Sequence, residues 1–323
     1  ATIGDGLVVP DSGFATEKGQ RTCGQPRKTR ESVHNQPFSS STTTRSSDPI
    51  VMDYHGGVLR RRALFAQGAT KHQIDRAVQE GLVKRLRWGW YAMTDADETV
   101  VEAVQRGGVL SCISALKWHG VWVRDLTNKL HIRGNSQAHR KHNGFCTQFG
   151  RPEPEDTAVD SVYIALRHAA RCMDDESFVA ACDSALNQGM ISPESLSSAF
   201  DKAPPRIHRL IEKCDRLAAS GLETIGRLRI SKMGVPYRSQ VYLPGVGYVD
   251  GLVGDRLIIE YDGRQHREDP NQYHTDLDRD FVSVSDDYIT VRLTSKHLFD
   301  HWPVVDRRLR KIFQAGLHLN RRD

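Results

Sequence analysis

Tyr248-Val249-Asp250-Gly251-Leu252-Val253-Gly254-Asp255-Arg256-Leu257-Ile258-Ile259-Glu260-Tyr261-Asp262-Gly263 is the stretch on which the fold turns. Two runs rich in β-branched and aromatic residues flank a Gly254-Asp255 turn, which predicts a hairpin with strands over Tyr248–Val253 and Arg256–Tyr261. Period-2 alternation along the second strand puts Leu257, Ile259 and Tyr261 on one face and Ile258, Glu260 and Asp262 on the other. Asp250 stands in the middle of the first strand, and the tight turn brings it beside that carboxylate face. Acids are rare inside apolar strands, and converging carboxylates repel unless a cation holds them. Mg2+ or Mn2+ is the expected cofactor, because hard divalent ions take carboxylate oxygens.

The neighbouring segments extend the hairpin into a layered α/β unit. A helix is expected from about Leu222 to Lys232, a strand from Tyr237 to Leu243 and a turn at Pro244-Gly245-Val246-Gly247. A polar helix follows Pro270, then a strand over Tyr288–Thr294 and a last helix interrupted at Pro303. The order is αβββαβ with a trailing helix.

An ion held by these carboxylates polarises a phosphoryl oxygen and acidifies water, the requirement of phosphodiester hydrolysis. His266 is placed to orient or deprotonate that water. Arg279 and Arg292 can neutralise charge on the phosphate, although salt bridges to Asp276, Asp278 and Asp280 compete for them. Glu223 is a further ligand candidate, but Ser220-x-x-Glu223 also reads as a capping box. Asp262-Gly263 also reads as a turn. Gln240 is a supporting candidate.

Upstream, Arg61 to Ala66 and Lys71 to Glu80 are expected as two short helices broken at Gly68. Thr70 and Gln73 form a capping box, and Gly81 stops the second helix. Leu82 to Ala92 reads as a hairpin around a Gly turn, so the segment resembles a helix-turn-helix with a wing. The whole chain carries only +5, yet residues 53–95 hold eight Lys or Arg against four acids. That patch suits phosphates: Lys71, His72, Gln73 and Arg76 are expected to face a DNA groove, and Lys84, Arg85 and Arg87 to sit on the wing. A solvated basic surface is the alternative.

The expected organisation of the 323 residues is a disordered tail over 1–51, a winged helix-turn-helix over 52–95, a mostly helical middle region over 96–205, and a nuclease-like domain over 206–323. The tail is poor in large apolar residues and contains the tract Ser39 to Thr44; Met52 is an expected functional start. In the middle region Lys129–Arg133 is expected as a strand and Asp160–Asn187 as helix, with His119 as a packed or capping residue. Pro204-Pro205 marks the expected boundary. Six cysteines (Cys23, Cys112, Cys146, Cys172, Cys182, Cys214) without a C-x-x-C pair suggest neither a zinc ribbon nor a disulfide framework, and a reducing cytoplasm is the expected setting. No apolar run reaches the roughly 18–20 residues of a membrane span, and no secretory signal is read near Ala1.

The spaced set Ser220-Gly221-Leu222-Glu223, Arg227, Gln240, Val249-Asp250, Ile258-Ile259-Glu260-Tyr261-Asp262-Gly263, His266, Asp278-Arg279-Asp280 and Val291-Arg292 resembles the Vsr-like branch of the PD-(D/E)XK nuclease superfamily over roughly residues 218–312. The resemblance implies a restriction-endonuclease-like fold, with Asp250 and Glu260 as metal ligands and Glu223 contributing from the first helix. In the commonest pattern a Lys stands two residues after the acid; here Asp262 does, so His266 or an Arg would have to stabilise the transition state. Residues 52 to about 135, with Gly81-Leu82-Val83, Arg87, Gly89, Tyr91, Ser114-Ala115-Leu116, His119-Gly120 and Leu130-His131-Ile132, resemble the AbiEi-type antitoxin helix-turn-helix family. That resemblance implies binding to double-stranded DNA in transcriptional control of a toxin–antitoxin or phage-defence locus, with a protein of that locus as partner. The two expectations are a metal-dependent endonuclease and, as the alternative, a non-catalytic regulator with a degenerate nuclease fold.

Overall fold

A capped helix followed by a glycine and a β-branched hairpin sets the first module. In the computed structural model, which describes residues 56–124, 126, 129–134, 144–262 and 281–320, strand β1 (Val58–Arg60) leads into α1 (Arg61–Ala66), α2 (Lys71–Gln79), β2 (Val83–Arg87) and β3 (Trp90–Met93). Thr70 and Gln73 form the expected reciprocal cap of α2. Gly81 follows at φ +74°, a left-handed conformation that only glycine adopts cheaply. The strands pair antiparallel in the order β1-β3-β2. Strand β1 has no legible sequence signal, since three residues are too few for a period to show.

Ile74 and Ala77 of α2 pack with Leu59, Leu64, Val83 and Tyr91 in a small core of their own. Val58, Trp90 and Ala92, on the other side of the same sheet, belong to a larger core with Leu110, Leu116 and Leu166. The first module is thus continuous in packing with the middle region. Pro204-Pro205 is likewise a helix start, with Pro205 in the first turn of α8 (Pro205–Ile211), and Ile207 and Leu210 join that larger core.

The middle region contains α3 (Glu98–Gln105), β4 (Val109–Leu110), α4 (Cys112–Trp118), β5 (Ile132–Arg133), α5 (Val162–Cys172), α6 (Asp175–Asn187) and α7 (Pro193–Ala199). Two expectations are corrected. The helical run over Asp160–Asn187 is two helices, because Asp174 caps α6 through the Ser177 N–H. The strand expected over Lys129–Arg133 narrows to two residues paired with β4. Arg133 is fully buried and grips Asp160 with two nitrogens, Nε to Oδ2 and Nη2 to Oδ1, both at 2.6 Å. His119 fills the structural role expected of it: its Nε2 meets the Asp160 carbonyl oxygen at 2.7 Å.

Three of the cysteines, scattered along the sequence without a C-x-x-C pair, are brought together by the fold. Cys112, His131, Cys146 and Cys172 converge from four separate segments, with ligand atoms all within 4.8 Å of one another. No short-range motif announces them, because the fold and not the local sequence makes them neighbours.

The C-terminal elements follow the expected order: α9 (Gly221–Ser231), β6 (Tyr237–Leu243), β7 (Gly247–Val253), β8 (Leu257–Asp262), β9 (Ile289–Thr294), α10 (Ser295–Phe299) and α11 (Trp302–Gln314). Residues 281–285 are helical; the rest of the helix expected after Pro270 lies outside the described residues, as do the 1–51 tail and Met52. The sheet order is β6-β7-β8-β9, with β6, β7 and β8 antiparallel and β9 parallel to β8. Pro303 does not interrupt a helix; it sits in the first turn of α11, where its missing N–H costs nothing.

Helix α9 is bound to the middle region by polar contacts that run from buried to exposed. Asp183 Oδ2 accepts from Thr224 Oγ1 and Arg227 Nη2, each at 2.8 Å, and Glu176 binds Arg229 and Lys232 at 2.8 Å. The architecture is mixed α/β, and no described helix is long and apolar enough to cross a membrane.

Candidate functional site

The two faces of β8 divide as alternation requires. Leu257 and Ile259 pack with Ile230, Leu293 and Leu298, with Tyr261 against that cluster, whereas Ile258 packs with Leu243, Val246, Val249 and Leu252. On β7, however, Val249 and Leu252 share one cluster although three residues apart, so Asp250-Gly251 interrupts the pleat. Its neighbour on β6 shows the same irregularity. Gln240 adopts φ +50°, and the ladder pairs Ser239 with Gly251 and Val241 with Val249 while skipping the pair between them. Non-glycine residues in this conformation are uncommon and costly, and they cluster at functional sites.

The interruption brings three predicted residues together. Gln240 Nε2 donates to Glu223 Oε2 at 3.0 Å and to Asp250 Oδ1 at 3.3 Å, bridging the two carboxylates with one amide. Asp250 Oδ2 accepts the Tyr261 backbone N–H at 2.8 Å, which ties β7 to β8. Glu223 is 7% exposed, and its Oε2 also accepts the Ala219 N–H at 2.9 Å. It is not the reciprocal cap its spacing suggested. Ser220 caps the helix, but the Glu223 carboxylate bypasses the Ser220 N–H. Burial, and then the Asp250 charge, push the Glu223 carboxyl above its ordinary range.

The β7–β8 ladder pairs Gly251 with Ile259, and continuing that register sets Asp250 opposite Glu260. Glu260 is in register with Arg292 and Asp262 with Thr294 on β9; Glu260 and Asp262 are half-buried. Among the described residues, Glu223, Asp250 and Glu260 do not close into a three-ligand set around one point; the Cys/His cluster does. His266 and Arg279 lie outside the described residues.

Two glycines shape the floor of the site. A Cβ on Gly226 of α9 would overlap the Tyr261 ring, and one on Gly251 would overlap the Tyr237 ring. The freed space lets the two tyrosines lie between helix and sheet, their hydroxyls 3.3 Å apart. Sequence reading placed Tyr261 on this face of its strand but assigned no role to Gly226, Gly251 or Tyr237; the glycines inside predicted helix and strand were the available signal.

On the first module, Lys71, His72, Gln73 and Arg76 of α2 are exposed, with Arg76 paired to Glu80 at 2.7 Å. Lys84 and Arg85 of β2 are exposed. Arg87 is committed inward, to Glu155 Oε2 and to the Gly108 carbonyl, both at 2.9 Å. Sequence reading missed Trp88, which stands 79% exposed at the tip of the hairpin with the Arg85 guanidinium 4.9 Å from its ring centre. No protein-family model matches the chain, and no curated protein matches it.

Proposed function

We propose that the chain is a divalent-cation-dependent endonuclease that hydrolyses double-stranded DNA, brought to its substrate by an N-terminal winged helix. The observation that carries the reading is the Gln240 amide bridging Glu223 and Asp250 at the one break in the β6–β7 ladder. The amide holds two buried or half-buried carboxylates side by side, and a donor set of hard carboxylate oxygens is the kind that Mg2+ or Mn2+ takes. The order αβββαβ, with three antiparallel strands and a parallel fourth, supports a restriction-endonuclease-like core.

In this reading Asp250, Glu260 and Glu223 hold the ion. Bound there, it would neutralise charge on a phosphoryl oxygen and acidify a water. The Tyr261 N–H keeps the Asp250 carboxylate fixed across the hairpin. Asp262 and His266 orient the attacking water and take its proton, while Arg292 and Arg279 offset charge on the phosphate. The β1-α1-α2-β2-β3 order and the exposed Lys71, His72, Arg76, Lys84 and Arg85 support duplex binding, α2 entering a groove and the β2–β3 tip lying along the backbone.

Supercoiled plasmid incubated with the full chain and MgCl2 or MnCl2 should be nicked or cut, and Asp250→Ala should abolish this. Absence of metal-dependent cleavage, or cleavage unchanged by Asp250→Ala, would sink the reading. The second reading, a regulator without catalysis that acts at a toxin–antitoxin or phage-defence locus, draws on Asp262 standing where a Lys is common. It expects duplex binding without cleavage, unaffected by Asp250→Ala.

A further inference from the structure

We infer that Cys112, His131, Cys146 and Cys172 form a structural zinc site that pins the middle region together. The four come from different elements: Cys112 is the first residue of α4, His131 immediately precedes β5, Cys146 lies in the extended segment beyond it, and Cys172 is the last residue of α5. Their ligand atoms all lie within 4.8 Å of one another, and His131 Nδ1 is 3.3 Å from Cys146 Sγ. Tetrahedral zinc with bonds of about 2.0–2.3 Å requires ligand-to-ligand edges of about 3.5–3.8 Å, so small side-chain adjustments, drawing the longer edges in and opening the 3.3 Å one slightly, close the shell.

The chemistry favours zinc over the hard ions proposed for the acidic sheet. Three sulfurs and one imidazole are soft or borderline donors, and a four-coordinate shell of three thiolates and one histidine is characteristic of zinc. All four positions are filled by protein, leaving none for substrate, which makes the site structural. Cys112, His131 and Cys146 are buried, while Cys172 is exposed at the C-terminal end of α5, giving an ion a way in from solvent. That helix end also carries the negative pole of the dipole, which favours a cation.

The backbone around the cluster is already arranged for it. Cys112 is held at φ +53° although fully buried, a costly conformation for a non-glycine residue that a metal–sulfur bond would help to hold. The His131 N–H donates to Ser114 Oγ at 2.9 Å, the Ser111 N–H to the His131 carbonyl at 3.1 Å, and the Cys146 N–H to the Ile132 carbonyl at 2.7 Å. These bonds tie the histidine and Cys146 segments to the start of α4 before any ion binds. Zinc would add the fourth segment, α5, and cross-link the core that the middle region shares with the first module.

The site is independent of the nuclease reading, and its test uses the full chain purified under reducing conditions. Metal analysis should find about one zinc per chain, and Co2+ exchanged into the site should give the strong thiolate charge-transfer and tetrahedral d–d absorption of a shell with three sulfurs and one nitrogen. Cys146→Ser and Cys172→Ser should each lose the stoichiometric zinc, whereas Asp250→Ala should keep it. Cys172 is exposed, so its variant has the better prospect of folding; if neither variant is soluble, the Co2+ spectrum of the unaltered chain decides. Less than about a tenth of an equivalent of zinc after reconstitution would overturn the inference. So would a disulfide between any two of the three cysteines in a non-reduced peptide map, or loss of zinc in Asp250→Ala with retention in the cysteine variants.

Discussion

Asp250 and Tyr261 are joined across the β7–β8 hairpin: the Asp250 carboxylate accepts the Tyr261 backbone N–H at 2.8 Å, at the point where the ladder on the other edge of β7 is broken. A side chain thus takes over a bond that regular pairing would leave to main chain. Asp250 is held beside β8 and remains within reach of Gln240 and, through it, Glu223.

The raised carboxyl of Glu223 sets a pH dependence. Because its folded value lies above the ordinary one near about 4.3, the folded chain keeps this proton to higher pH than the unfolded chain does. The resulting stabilisation is complete below the ordinary value and lost as pH rises through the raised one. Asp183, pushed up to about 6 by burial against the pull of Arg227, acts with the same sign. Glu223→Gln keeps an acceptor for the Ala219 N–H but removes the buried charge. The variant should melt higher than the parent at pH 7, by roughly 1 kcal/mol, and this advantage should vanish near pH 4. Thermal melts across that range check it; an advantage independent of pH would contradict it.

Gly226→Ala should be among the costlier small substitutions in the chain. Alanine favours helix, but its methyl group would overlap the Tyr261 ring. Overpacking of this kind costs about 1–3 kcal/mol, against at most about 1 kcal/mol regained in propensity. Urea unfolding should show a net loss, and Tyr261→Phe should not rescue it, because ring atoms as well as the hydroxyl are in the way.

Arg133 and Asp160 are 1% and 0% exposed, so breaking their ion pair from one side leaves a buried charge alone. Asp160→Asn should destabilise by about 3–5 kcal/mol. Arg133→Met combined with Asp160→Leu should cost less than the sum of the single changes, which a double-mutant cycle by urea unfolding measures directly.

The hairpin tip separates binding from stability. Trp88→Ala should change stability by no more than about 0.5 kcal/mol, since the ring is mostly in solvent, yet weaken duplex binding. Lys84→Ala and Arg85→Ala should each reduce the slope of log K against log salt by about 1. Arg87→Ala should instead lower the melting temperature, because it removes the ion pair to Glu155, which is 3% exposed, and the bond to the Gly108 carbonyl. Fluorescence anisotropy on a duplex, titrated with salt, distinguishes the two behaviours.

Local physics wrote much of this protein into its sequence. The capped α2, the glycine stop, the hairpin of β2 and β3, and the order of α9 and β6 to β9 follow from propensity, period and turn chemistry acting over a few residues. Asp250 and Glu260 were legible as candidates because acids inside adjacent apolar strands have few structural uses, whereas the spacing of Glu223 read equally well as a cap and Gln240 stood only as a supporting residue. What the sequence left open depends on contacts between distant residues. The Asp250-Gly251 break that turns Asp250 toward Gln240, the space Gly226 leaves for Tyr261, and the inward commitment of Arg87 all require a partner from another element. The gathering of Cys112, His131, Cys146 and Cys172 is the clearest case. Local spacing reports neighbours along a helix or strand, whereas these four become neighbours only when two helices and two extended segments pack into one core.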